Sequence, residues 1–209
     1  MKAALTFATL MIGAAAQADT ITVAGGCFWC TEADFEKVEG VSEAVSGFAG
    51  GNVENPTYEE VVSGGTGHYE AVQIEFDPEV VERRKLYDMF FRSIDPFDEG
   101  GQFCDRGDSY RTAIWVDNEV DIAAAEDAKA VAELELAQDI VTPILKDAEF
   151  YPADAYHQDY YKSEDRLAFS TVGIAVRKAT AYDRYRERCG RDARVREVWG
   201  VDAPFLPKS

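Results

Sequence analysis

Cys27 follows Gly25-Gly26, where a short β-rich run (Ile21-Thr22-Val23-Ala24) stops and a stretch with helical spacing begins. A thiol at a helix start faces unpaired backbone N–H groups and the positive end of the helix dipole, and both favour the thiolate. This position predicts a pKa for Cys27 below the ordinary thiol value of about 8.5. The two glycines leave room for a substrate to approach. Cys30 lies three residues on, on the same helix face, within reach of a disulfide with Cys27. A C-x-x-C pair can also be half of a zinc site, but Cys104 and Cys189 stand singly, without the second paired spacing that structural zinc uses. Redox chemistry without a metal or other cofactor is therefore the expectation. Phe28 and Trp29 add an aromatic wall beside the sulfur, suited to a small apolar group such as a methyl.

Glu70 is the second candidate. From Tyr69 to Phe76 the residues alternate, which puts Glu70 on one face with Val72, Ile74 and Phe76. That face belongs to a core. A buried carboxylate is costly when charged, so its pKa rises and it can remain a proton donor near neutrality. The same residue at a strand end could instead reach solvent with its head group.

These residues need a scaffold. Cys27 to Val38 reads as a helix stopped by Gly40, Val41 to Phe48 as a second strand, and Tyr69 to Phe76 as a third. Pro78 is expected to open a helix with Leu86, Met89, Phe90 and Ile94 on its apolar face. Tyr110 to Val116 alternates again as a fourth strand. The order is that of an α+β fold, a ferredoxin-like split βαβ two-layer sandwich, with an antiparallel sheet and helices on one face. Asn118 to Ala137 reads as an Ala-rich helix, Ile140 to Leu145 as an extended piece, and Tyr156 to Tyr161 as the start of another helix. Beyond Ser163 a polar tail, read as a C-terminal helical extension, ends its helix near Cys189-Gly190. The expected organisation is a catalytic domain over residues 19–161 with residues 162–209 wrapping it.

The chain has 209 residues and a formal net charge of -18. That acidity argues against a nucleic-acid partner, which needs clustered Lys and Arg, and against docking on anionic membranes. Lys2, the apolar run from Ala3 to Ala16 and the small residues of Ala16-Gln17-Ala18 have the form of a cleaved signal peptide over residues 1–18. The run is too short to span a bilayer. The mature chain is expected to begin at Asp19 and to be periplasmic or secreted.

Several motifs resemble those of the A-type peptide methionine sulfoxide reductases. Gly26-Cys27-Phe28-Trp29 is similar to the family's nucleophile motif, and Gly50-Gly51 with Asn55-Pro56-Thr57-Tyr58 to its next segment. Gly67-His68-Tyr69-Glu70-Ala71-Val72, Asp105-Arg106-Gly107 with Tyr110-Arg111, and Tyr156-His157-Gln158 follow in the family's order. The resemblance covers residues 21 to 161. It implies that Cys27 attacks the sulfoxide sulfur of methionine S-sulfoxide and that Glu70 protonates the departing oxygen. It implies that Tyr58, Asp105 and Tyr110 hold that oxygen, and that Phe28 and Trp29 cradle the S-methyl group. Cys27 would leave as a sulfenic acid, be resolved as a disulfide, and be reduced by a thioredoxin-like thiol donor. Two departures leave the resolving thiol open between Cys30 and Cys189. The family commonly has Gly where this chain has Cys30, and commonly keeps its resolving thiol in the tail. Local encounter favours Cys30 as the first to react. Cys104 reads as a loop thiol or half of a structural bridge. The rival reading is a periplasmic thiol–disulfide exchange protein using Cys27-x-x-Cys30, and a non-catalytic binding module is a third.

Overall fold

The computed structural model describes residues 18–170, 173–201 and 203–207. All of the expected signal peptide except Ala18 lies outside these residues. In chain order the elements are β1 (Asp19–Gly25), α1 (Phe28–Phe35), β2 (Val41–Ala49), α2 (Tyr58–Ser63), β3 (Tyr69–Phe76) and α3 (Arg83–Phe91). Two short strands, β4 (Gly101–Gln102) and β5 (Asp105–Arg106), and a 3-10 turn over Asp108–Tyr110 lead into β6 (Thr112–Val116). Next come α4 (Glu119–Leu136), β7 (Ile144–Lys146), β8 (Phe150–Pro152), β9 (Arg166–Ser170), β10 (Gly173–Arg177), α5 (Lys178–Cys189) and α6 (Arg191–Trp199).

Six strands form one mixed sheet in the order β7-β6-β1-β3-β2-β8. Every pairing is antiparallel except β6 with β7. Period-two alternation sorts the two faces. Ile21, Val23, Val72, Ile74, Phe76, Ile114 and Val116 join one buried cluster with residues of α1, α3, α4 and α6. On the other face Ala24, Ala49, Ala71, Ala113 and Trp115 pack with Tyr69, Leu145, Ala148 and Phe150. The small residues there let loops and edge strands lie close on the sheet. Fold class is thus α+β.

The structure corrects several element boundaries. The expected helix from Pro78 begins at Arg83, because Asp77 first closes a turn: its carbonyl accepts from the Val80 and Val81 N–H groups, both at 3.0 Å, and its carboxylate from Glu79. Tyr156 to Tyr161 is a series of turns rather than a helix, with Asp159 at φ +55 breaking any helical run. The fourth strand starts at Thr112 rather than Tyr110, and the extended piece narrows to Ile144–Lys146. The tail is only partly helical: the β9–β10 hairpin precedes α5, which ends at Cys189 as expected.

That tail contributes to the core. Val195, Trp199, Ala203 and Leu206 belong to the same buried cluster as the sheet, and the Trp199 indole N–H donates to the Ile94 carbonyl at 3.0 Å. Among the described residues no helix is long and apolar enough to cross a membrane.

Candidate active site

Cys27 is the residue preceding α1, and its carbonyl accepts from the Cys30 N–H at 3.0 Å and the Thr31 N–H at 3.4 Å. The strand-to-helix turn before it needs glycine. Gly26 has φ +82, and a Cβ there would meet the Gln102 Cβ at 2.5 Å. Gln102 is buried and tied into its own loop, its side chain bonding the Asp95 N–H and carbonyl at 2.8 Å each. The turn cannot relax toward it.

The N–H of Phe28, at the first helical position, donates to Glu70 Oε2 at 3.0 Å. The helix N-terminus therefore serves the carboxyl group of Glu70. This reverses one expectation from the sequence. Burial raises the Cys27 thiol well above its ordinary value, aided by the hydrogen bond it shares with Cys30 and by the charges of Glu70 and Asp105. Cys30 is lowered to about 7, first by the hydrogen bond from Cys27 and then, against its own burial, by the positive charges of Arg191 and Arg186. At rest, Cys27 holds the proton of the pair and Cys30 is the partner that more readily ionises.

Glu70 lies in the core as the alternation predicts, 1% exposed. Desolvation raises its carboxyl to about 8 even though the Phe28 N–H opposes the shift. Tyr110 hydrogen-bonds Glu70, and the Tyr110 and Tyr58 hydroxyls bond each other. Burial pushes both phenols up, so both remain protonated donors. Burial also raises the Asp105 carboxyl, which accepts from the Tyr185 hydroxyl.

The aromatic wall is wider than Phe28 and Trp29. Trp29 stacks on Tyr160 with centroids 3.8 Å apart and rings within 9° of parallel. His157 lies 5.3 Å from Phe28, 5.7 Å from Trp29 and 4.3 Å from Tyr58, between centroids. Tyr185 meets Trp29 edge-on at 6.3 Å. Burial lowers the His157 pKa, so the ring is neutral at pH 7. Gln158 pins this segment to β2, donating to the Ser46 carbonyl at 2.8 Å and accepting from the Ser46 N–H at 3.0 Å. Glu32 holds it from the other side through the Asp159 N–H.

The structure thus brings Cys27, Cys30, Phe28, Trp29, Glu70, Tyr58, Tyr110 and Asp105 to one place. Cys189 is near but engaged: it forms a disulfide with Cys104 across 85 residues, and its sulfur lies 3.8 Å from an Asp105 carboxylate oxygen. Cys27 and Cys30 are free and buried. The sequence reasoning missed Tyr160, Tyr185 and Arg191 as neighbours of the site. Tyr156-His157-Gln158 was a visible signal for His157, whereas Tyr185 and Arg191 sit in a polar helical tail that offers none.

A model of the peptide methionine sulfoxide reductase family matches residues 19–189. The chain belongs to that family. It is 46% identical over 182 residues to the peptide methionine sulfoxide reductase MsrA of Bacillus subtilis, across 86% of this chain and 95% of that protein. It is 41% identical over 192 residues to a Vibrio cholerae peptide methionine sulfoxide reductase MsrA/MsrB, across 90% of this chain but 47% of that protein, so it spans about half of that relative's length. Among solved structures, reduced Mxr1 from Saccharomyces cerevisiae superposes with a TM-score of 0.65 at 30% identity, over 69% of this chain and 84% of that one. Mxr1 in complex with Trx2 matches with a TM-score of 0.50 at 25% identity, over 69% and 86%. The reductase reduces methionine sulfoxide to methionine by thiol chemistry, and the Cys104–Cys189 disulfide is consistent with that chemistry.

Proposed function

We propose that this reductase acts on the S epimer of methionine sulfoxide, free or in oxidised proteins, with Cys27 as nucleophile and Glu70 as proton donor. The observation that carries the assignment is the Phe28 N–H to Glu70 bond at 3.0 Å, which couples a buried, protonated carboxyl to the residue beside the nucleophile. Cys27 gives its proton to Cys30 as its sulfur attacks the sulfoxide sulfur. Glu70 protonates the oxygen, and Tyr58, Tyr110 and Asp105 hold it. Phe28 and Trp29 receive the S-methyl group, with His157 and Tyr160 completing the wall. Methionine leaves and Cys27 retains the oxygen as a sulfenic acid, oxidised by two electrons. Cys30 then attacks the Cys27 sulfur; the S–S bond forms, the S–O bond breaks, and water departs. An external dithiol reduces the disulfide, and the yeast Mxr1–Trx2 complex supports a thioredoxin-like donor. Cys189 acts after Cys30, because it is already paired with Cys104.

The proposal extends to the whole chain. The central strand order β6-β1-β3-β2 and its antiparallel pairings support the ferredoxin-like reading of the α+β fold. Burial of α6 in the core cluster supports a tail that wraps a domain of residues 19–161. Lys2, the apolar run and Ala16-Gln17-Ala18 support export to the periplasm or beyond. Turnover of resolved methionine S- and R-sulfoxides with dithiothreitol tests the central reading. Reduction of the S epimer alone is the expected result, and preference for the R epimer sinks it.

A further inference from the structure

Arg191 is a buried cation with no carboxylate in contact, although its charge reaches the Asp105 carboxyl. It is 2% exposed, and no acidic side chain lies within ion-pair distance of it among the described residues. One guanidinium nitrogen donates to the Gly25 carbonyl at 3.2 Å, another to the Ser93 carbonyl at 3.1 Å, and its Nε has no partner. The guanidinium lies 4.7 Å from the centroid of the Phe103 ring. Burying a charge this way is costly unless an opposite charge arises nearby. Arg186, the other cation near the thiols, is already committed, bonding Asp34 at 2.8 Å and Asp192 at 2.7 Å.

We propose that Arg191 is a positioning residue for the thiol chemistry, fixing the turn before Cys27 through the Gly25 carbonyl and placing a buried positive charge beside the pair from which Cys30 attacks the Cys27 sulfenic acid. The inference rests on Cys30 being the resolving thiol. The groups facing Cys30 are Cys27 just before α1, Asp34 from α1, Glu70 from β3, Tyr182, Tyr185 and Arg186 from α5, and Arg191 from α6. Those from β3 and α5, Arg186 apart, are acids or phenols that cannot favour a thiolate by charge. The hydrogen bond from the Cys27 thiol favours it at rest but is spent once Cys27 carries oxygen. The Arg191 charge persists. In the resolving step Cys30 passes to the Glu70 carboxylate the proton it took from Cys27, its electron pair forms the S–S bond, the S–O bond breaks, and hydroxide leaves with that proton from Glu70 as water.

The test uses the full chain with Cys27→Ser and the Cys104–Cys189 disulfide intact, where Cys30 is the one free thiol. Its ionisation is followed by thiolate absorbance near 240 nm with Arg191 present, or replaced by Gln, Met or Lys. Circular dichroism identifies the folded variants. We expect the Cys30 midpoint to rise by about one unit or more in the neutral variants, the size expected for loss of one nearby charge. Arg191→Lys should keep it within about 0.3 units, since the charge survives while the two-carbonyl fork does not. An unmoved midpoint in either neutral variant, or a Lys variant that behaves like Gln, overturns the proposal. Failure of the underlying reading appears elsewhere. If the protein with all four cysteines and one equivalent of substrate forms a Cys27–Cys189 bridge first, with Cys30 still alkylatable, Cys30 is not the resolver and the purpose assigned to Arg191 falls with it.

Discussion

Because burial raises the Glu70 carboxyl to about 8 while the Phe28 N–H holds one of its oxygens, the proton donor is loaded at neutral pH. The protonated form is the active one, so the single-turnover rate of methionine formation should fall as pH rises through about 8. Glu70→Gln keeps the shape and loses the proton, and should slow that step by about 10²–10⁴-fold. It should also remove the alkaline fall, and rapid-quench measurement across pH checks both effects. A rate like that of the unaltered enzyme would make Glu70 structural. Cys27→Ser is expected to abolish sulfoxide reduction with the fold intact, since a hydroxyl forms no sulfenic acid. Turnover above roughly a tenth of the wild-type rate would show another nucleophile.

Among the elements, α5 and the β4–β5 loop are the pair that matter most for the site. Tyr185 reaches Asp105 from α5, and the Cys104–Cys189 disulfide ties the end of that helix to the same loop. A crosslink closing so long a loop restricts the unfolded chain, which typically contributes about 2–4 kcal/mol. The Cys104→Ser, Cys189→Ser double variant should lose stability of that order in urea. It should still form methionine in a first single turnover, because Cys27 and Glu70 are positioned by α1 and β3. A large loss of the first turnover would place the disulfide within the sulfoxide step itself.

For the molecule as a whole, the described fold begins almost at once after the expected cleavage site. Asp19 opens β1, opposite Phe76 of β3, and its carboxylate bonds Arg83 at the start of α3. Cleavage before Asp19 would leave the sheet complete. Intact-mass measurement of the protein recovered from its native cell fraction should give a chain starting at Asp19, outside the cytoplasm. A chain retaining Met1 or Lys2 in the cytoplasmic fraction contradicts the export reading.

Local pattern determined a good deal at each of these scales. Alternation alone put Glu70 on the core face, because side-chain direction along a strand depends only on residue parity. Gly25-Gly26 before an apolar helix marked the turn that presents Cys27, because few other residues tolerate that backbone. The resemblance of the motifs to the family's pointed to Tyr58, Asp105 and Tyr110, which lie around Glu70. Other features depended on residues far apart in the chain meeting in space. The Cys27 pKa moved the opposite way from expectation because the thiol is buried, and because Glu70, 42 positions from Phe28, takes that residue's N–H and sets its own charge near the sulfur. The Cys104–Cys189 bridge, the stacking of Tyr160 on Trp29 and the buried charge of Arg191 follow from how the tail packs against the sheet. Periodicity reports which face of an element is buried. It carries no information on which distant segment covers that face, and desolvation and charge pairing, which set the chemistry here, are properties of that covering.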